Sequence, residues 1–206
     1  MKSRFLAMVL FMILALAGCG GGDVVVTVAP TPITIDSSLS LDGYVVENPV
    51  TLALTPFPST ASVFAGINSI TGAEYRAFIG FPMSGIPLNA LINSASLDIV
   101  VRDIQPRTGS IPLRIELVSF SAPLQANDFD RIILPPLAFT TVSVPLASIG
   151  SNVLVNVTAL LKEALLPPRL PNFQVRILLD FGFVADQFIE IDDTTQFVPL
   201  LKVAYF

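Results

Sequence analysis

The chain of 206 residues contains no histidine, no tryptophan and a single cysteine, Cys19. Without an imidazole there is no Ser-His-Asp or Cys-His relay and no His-bearing metal site. One thiol cannot close a disulfide within the chain, so stability has to come from a core, which a chain of this size can build. Beyond Lys2, only Lys162 and Lys202 carry side-chain amines, and neither stands in a sequence context that marks a nucleophile. Gly-rich phosphate loops are absent, because Gly20-Gly21-Gly22 follows no strand and matches no P-loop spacing. Basic residues total 11 against 16 acidic ones, a net charge of −5. Nucleic acid needs a basic footprint, and so does an anionic lipid surface. Neither partner fits.

What is there begins at the N-terminus. Lys2 and Arg4 precede an apolar run from Phe5 to Ala17, which ends in Leu16-Ala17-Gly18-Cys19. A secretory signal needs a positive start, an apolar stretch of ~7–15 residues and a small-residue cleavage site, and all three are present. The run is too short for a membrane-spanning helix, which needs about 20 apolar residues. An ordinary signal peptide is the other rival. Cys19, the only cysteine, stands where a lipid-modification site needs it.

This segment resembles a bacterial lipoprotein signal peptide ending in a lipobox. The resemblance implies that the Cys19 thiol is acylated, that residues 1–18 are removed, and that Cys19 becomes a lipidated N-terminus. Each buried methylene contributes about 0.8 kcal/mol, and two or more chains anchor stably. The membrane is then a partner through lipid. Gly20, rather than Asp, follows the cysteine and leans towards the outer membrane of a Gram-negative envelope. Loss of Lys2 and Arg4 leaves 9 basic against 16 acidic residues, which strengthens the exclusion of nucleic acid.

Residues 19–36 read as a lipidated cysteine with a Gly- and Pro-containing tether, in which Val24–Val28 is a strand or an extended arm and Pro30 and Pro32 stiffen the chain. Residues 37–206 read as one domain. Period-2 alternation dominates there. Ala95, Leu97, Ile99 and Val101 share one face; Leu113, Ile115 and Leu117 share another; Phe173, Val175, Ile177, Leu179 and Phe181 form a third row, and Leu201, Val203 and Tyr205 a fourth. Weaker runs fit strands at Gly43–Glu47, Ser62–Ile67, Tyr75–Phe81, Phe139–Val144 and Phe188–Ile191. One segment, about 157–166, has helical spacing, with Asn156 or Thr158 as cap and Pro167-Pro168 as stop. No internal repeat stands out. The expected fold is all-β: a jelly-roll-like antiparallel β-sandwich with one short helix.

Three ordered segments resemble the DNRLRE domain, whose relatives include the alginate-binding modules of carbohydrate-binding module family ninety-six. Asp42-Gly43-Tyr44-Val45 is similar to the family's opening Asp-x-Tyr-Ile. Tyr75-Arg76-Ala77-Phe78-Ile79-Gly80-Phe81, with Ile86-Pro87 and Ile92-Asn93-Ser94-Ala95-Ser96-Leu97, is similar to its core. Val155-Asn156-Val157-Thr158 and the terminal Pro199–Tyr205 segment complete the set. The resemblance implies a non-catalytic jelly roll associated with cell-surface or polysaccharide-handling proteins. Gly80 stands where the family has Arg, Pro82 and Asn156 where it has Asp, and the family's Trp is missing.

Carboxylates are the remaining option for catalysis, and a glycosidase needs two of them across a cleft. Asp128 with Asp130, and Glu190 with Asp192 and Asp193, read first as turn residues. The expectation is therefore no catalytic residue and no cofactor. Asp186, Asp192 and Asp193 are candidate Ca²⁺ ligands, because Ca²⁺ takes oxygen donors. Tyr44, Arg76 and Phe78 are candidate ligand-binding residues: rings stack on sugar faces, and Arg76, Arg102, Arg114 and Arg176 would suit an anionic polysaccharide. The competing reading of those arginines is cross-strand pairing with Asp98, Glu116 and Asp180. Function is expected to be envelope binding, of polysaccharide or, alternatively, of another envelope protein.

Overall fold

Alternation becomes strands almost throughout. The computed structural model describes residues 29–107, 109–180 and 186–206; the signal segment, Cys19 and Val24–Val28 lie outside them. Twelve strands are described: β1 (Thr31–Asp36), β2 (Gly43–Glu47), β3 (Leu54–Pro58), β4 (Ser62–Ile67), β5 (Glu74–Pro82), β6 (Ile92–Gln105), β7 (Ser110–Val118), β8 (Ala138–Pro145), β9 (Asn152–Asn156), β10 (Asn172–Leu179), β11 (Phe188–Asp192) and β12 (Leu200–Tyr205). One helix, α1 (Thr158–Leu165), follows β9. All pairings are antiparallel, and the sheet curls into a sandwich-like fold.

The first layer is built on β6. β9 runs along one flank of it, with Ser96 opposite Asn156 and Val100 opposite Asn152. On the other flank, β11 covers Val100–Gln105 and β12 covers Ile92–Asp98. These two strands are therefore collinear, and residues 193–199 leave the sheet between them. Outside them the arrangement repeats: β1 pairs with β12 and β4 with β11. The second layer is β3-β2-β5-β10-β7-β8. Only two residue pairs, Gly66 with Tyr75 and Ile67 with Glu74, join the layers between β4 and β5. Gly66 has φ +113°, and a Cβ there would meet the Gln187 carbonyl oxygen at 2.2 Å. That close approach requires glycine.

The four expected apolar rows bury as read, apart from Tyr205, which is half-buried, and Phe181, which lies outside the described residues. Thr31–Asp36, read as part of the tether, is an edge strand paired with β12. β3 holds Pro56 and Pro58 and also lies at an edge, where a missing N–H costs no ladder bond. The helix matches its expected span. Asn156 Oδ1 accepts the Thr158 N–H at 3.0 Å, while Thr158 Oγ1 accepts the Ala95 N–H at 2.9 Å and pins α1 to β6.

The opposite row of β10 is buried as well. Gln174, Arg176 and Leu178 are as buried as the apolar row, because the β7–β8 connection folds back over that face. Phe120, Leu124, Phe129 and Leu134 from the connection pack on Val45 and Phe78 as a second, smaller core. Beneath it, Glu116 receives Arg176 Nη2 at 2.7 Å, Arg114 Nε at 2.8 Å and Arg131 Nη2 at 2.8 Å. Arg176 also donates to the carbonyls of Asp128 at 2.9 Å and Leu134 at 3.1 Å. Burial alone would raise the Glu116 pKa, but the hydrogen bonds from Arg176 and Arg114 outweigh it and hold the carboxyl below its usual range. Burial likewise lowers the Arg176 pKa.

Removing one partner from a fully buried pair leaves the other uncompensated, at a cost of about 3–5 kcal/mol. Glu116→Ala, which leaves the fully buried Arg176 with backbone carbonyls alone, is expected to lose about that much in urea unfolding. Arg107→Ala, which breaks an exposed pair with Asp103, is expected to lose no more than about 1 kcal/mol.

Candidate functional site

Five aromatic rings meet where the two layers join. Tyr44 of β2 stacks on Phe57 of β3, with centroids 4.8 Å apart, and meets Phe64 of β4 edge-on at 5.0 Å. Tyr75 of β5 lies 6.0 Å from Tyr44, from Phe64 and from Phe188 of β11, and stacks on the last. All these separations fall in the favourable range for ring pairs, about 4.5–7 Å. None of the five is fully buried, and Phe57 is 39% exposed. Burial, and then the neighbouring Tyr75 phenol, raise the Tyr44 pKa.

The strands explain the gathering. Tyr44 and Tyr75 lie on the row of the second layer that faces its partner, but that layer extends past β4 here. Phe64 and Phe188 stand on the polar rows of β4 and β11, opposite buried Val63, Ala65, Ile189 and Ile191. The turn at Gly66 brings the two rows together. On the β6 side the rings meet a polar rim. Gln105 is the register partner of Phe188, and Glu190 lies between Phe64 and Asp103. Glu190 Oε1 accepts the Ser62 hydroxyl at 2.9 Å, and Arg102 Nη1 stands 3.5 Å from it. Asp103 is bound by Gln105 and Arg107. Acidic and basic groups balance in this rim.

Two loops of the same build frame the other side. Asn48 Oδ1 accepts the N–H groups of Val50 and Thr51 at 2.9 and 3.0 Å, and Asn68 Oδ1 does the same for Ile70 and Thr71 at 2.9 and 3.1 Å. Thr51 and Thr71 then accept from Ala53 and Ala73. The loops Asn48–Ala53 and Asn68–Ala73 therefore follow one pattern, Asn-x-Val/Ile-Thr-x-Ala, a short repeat that the sequence reading passed over. Leu52 at φ 56° takes the left-handed position that Gly72 fills at φ 71°. Val50 and Ile70 sit at the tips, each 88% exposed. A groove between the loops runs past Val46, Pro49 and Thr55 to Tyr75.

Of the expected binding residues, Tyr44 is in this cluster and the other two are not. Phe78 is completely buried in the second core, edge-on to Phe120 at 5.4 Å. Arg76 is buried too: Nε donates to Glu74 Oε1 at 2.7 Å, Nη1 donates to the Phe129 carbonyl, and the guanidinium lies over the Phe129 ring. Arg176 pairs with Glu116 across strands, as the competing reading expected, whereas Arg114 reaches Glu116 along its own strand, β7. Asp128 and Asp130 shape turns, accepting the N–H groups of Gln125 and Ile132 at 2.7 Å.

The three Ca²⁺ candidates are not brought together. Among the described residues, no three acidic side chains form a metal-sized group. Asp186 is exposed, and Asp192 is occupied by Arg102 Nε at 3.5 Å and the Thr194 N–H at 2.9 Å. Asp193 instead has a partner the sequence did not suggest, Asp42. Asp42 is 0% exposed and Asp193 5%. Asp42 Oδ1 accepts the Gly80 N–H at 2.7 Å, and Asp193 Oδ1 lies 3.5 Å from the Ser37 hydroxyl. The Oδ2 atom of each has no hydrogen-bond partner. Gly80 has no room for a side chain, since a Cβ there would meet the Leu41 side chain at 2.5 Å.

No family model matches the chain, and no curated protein matches it. Among the described residues, no helix is long and apolar enough to cross a membrane.

Burial, then the charge of Asp193, pushes Asp42 up to about 7; burial, then Asp192, pushes Asp193 up to about 7. A carboxyl with a raised folded-state pKa stabilises most below its unfolded value, 3.8, and that contribution disappears as pH rises to about 7. In chelator-containing buffer, stability measured by urea unfolding is expected to fall across that window. Asp193→Asn is expected to flatten the fall; an unchanged slope would exclude the pair as its source.

Proposed function

We propose that this protein is a lipid-anchored, non-catalytic envelope module that binds polysaccharide on the five-ring cluster. The cluster carries the reading. Part-exposed rings offer flat apolar faces to the C–H faces of a sugar, while the Ser62, Glu190, Asp103 and Gln105 rim offers hydrogen bonds to its hydroxyls. Of the arginines that an acidic polymer would need, Arg76 is buried, Arg114 and Arg176 are committed to Glu116, and the exposed Arg102 is paired with Glu190 and Asp192. The balanced rim adds no attraction for anions, so the preferred ligand is a neutral glycan.

The position of the cluster supports the same reading. β1 starts beside Ile92, and the rings lie near Gln105, at the opposite end of β6. At ~3.3 Å per residue, that strand separates the two ends by about 43 Å. An anchor at Cys19 leaves the domain at the first end and presents the rings away from the membrane.

A second reading rests on the loop tips. Val50, Ile70 and Leu52, the last 66% exposed, make an apolar prow beside the rings, which suits a protein partner in the envelope.

Calorimetric titration with neutral and acidic oligosaccharides separates the two. Tyr75→Ala is expected to weaken neutral-glycan binding about tenfold, equivalent to about 1.4 kcal/mol for one stacked ring, with the circular dichroism unchanged. Paired Val50→Ser and Ile70→Ser substitutions are expected to leave that binding intact. No binding to any glycan, with loss of a co-purifying envelope protein in the tip variant, would transfer the function to the second reading. For the anchor, Cys19→Ser is expected to remove the acyl mass and shift the protein out of the membrane fraction; unchanged mass and fractionation would refute lipidation.

A further inference from the structure

The break in the first layer places two uncompensated carboxylates together. Residues 37–61 leave between β1 and β4, and residues 193–199 leave between β11 and β12, at the same height along β6. Backbone bonds tie the departing segments: Ser37 N–H to Pro199 O at 2.9 Å, Asp193 N–H to Ala61 O at 3.0 Å, Ser59 N–H to Asp42 O at 2.8 Å and Ser38 N–H to Gly80 O at 2.8 Å. Asp42 and Asp193 lie in this knot, with the Ser37 hydroxyl within reach of both carboxyls. The neighbouring guanidinium, Arg102, goes to Asp192. No lysine or arginine among the described residues forms an ion pair with Asp42 or Asp193.

We propose that Asp42 and Asp193 ligate a divalent cation of the Ca²⁺ class in this break. Each presents a buried Oδ2 with no partner, and a buried charge without a partner or a cation costs several kcal/mol. Two carboxylates carry the −2 that a divalent ion neutralises, and the Ser37 hydroxyl is a third oxygen donor. Ca²⁺ accepts irregular sets of 6–8 oxygens, which backbone carbonyls and water complete, whereas Mg²⁺ holds its own water shell and demands an octahedron. A knot this enclosed favours the ion that sheds water. With only two charged ligands, affinity belongs at the weak end, a Kd of about 10⁻⁴–10⁻³ M, as in extracellular modules. The ion ties the start of β2, which carries Tyr44, to the end of β11, the strand whose first residue is Phe188. It therefore fixes rings from the two layers relative to each other.

Thermal unfolding of the full exported chain in detergent, stripped with chelator and held above pH 7, tests this. Millimolar CaCl₂ is expected to raise Tm by several degrees and millimolar MgCl₂ much less. Asp193→Asn is expected to abolish the rise, while Asp192→Asn retains it. If Asp42→Asn fails to fold, calcium titration of the native chain and of Asp193→Asn in a calorimeter decides. A native chain indifferent to Ca²⁺, with Asp193→Asn more stable than native above pH 7, would show that the pair shares only a proton and overturn the site. An equal rise in native and Asp193→Asn would place the ion elsewhere and also overturn it.

Discussion

The architecture depends on one constraint: β6 is fourteen residues long, and no single partner strand spans its outer flank. β11 and β12 divide that flank between them, and β4 and β1 divide the next. Each interrupted line sends a segment out of the layer. The departure between β1 and β4 supplies the β2–β3 hairpin to the second layer and so closes the sandwich. The same interruption creates the knot holding Asp42 and Asp193, and it leaves β4 free to turn at Gly66 and meet β5. The aromatic cluster exists because of that turn.

The two faces of the second layer solve different problems. Its inner face packs aliphatic and phenylalanine side chains against the first layer, where non-directional burial suffices. Its outer face buries arginines and carboxylates under the β7–β8 connection, where directionality matters. Arg176 and Arg76 bind backbone carbonyls of that connection, so these charges position a loop rather than receive a ligand. This distinction redirects the functional reading, because arginines committed to Glu116 and Glu74 cannot hold an acidic polymer.

Legibility in the sequence followed the range of the interaction. Strands with strict alternation, such as Ala95–Val101 and Leu113–Leu117, were readable because each residue reports its own face. β1 and β3 were missed because Pro32, Pro56 and Pro58 argue against strands, and only their edge positions make them tolerable. The burial of Arg76, Phe78 and Arg176 had no local signal, since the cover comes from a distant connection. Of the rings in the cluster, Tyr44 stood among the binding candidates, whereas Phe57, Phe64 and Phe188 did not. A usable signal was present for two of them: Phe64 and Phe188 are aromatic residues on rows that otherwise hold Ser62 and Glu190. The loop repeat was present in Asn48–Ala53 and Asn68–Ala73 and too short to stand out. Asp42 and Asp193 are 151 positions apart, so their meeting follows only from the pairing of β4 with β11.

The central claim is that the five rings at the Gln105 end of β6 form the binding face. Amide and aromatic chemical shifts recorded during titration with a neutral oligosaccharide test it residue by residue. Perturbations are expected at Tyr44, Phe57, Phe64, Tyr75 and Phe188, spreading to Glu190 and Gln105 and leaving Ile92 and Phe206 unmoved. Perturbations confined to the Ile92 end, or to the face covered by the β7–β8 connection, would contradict it.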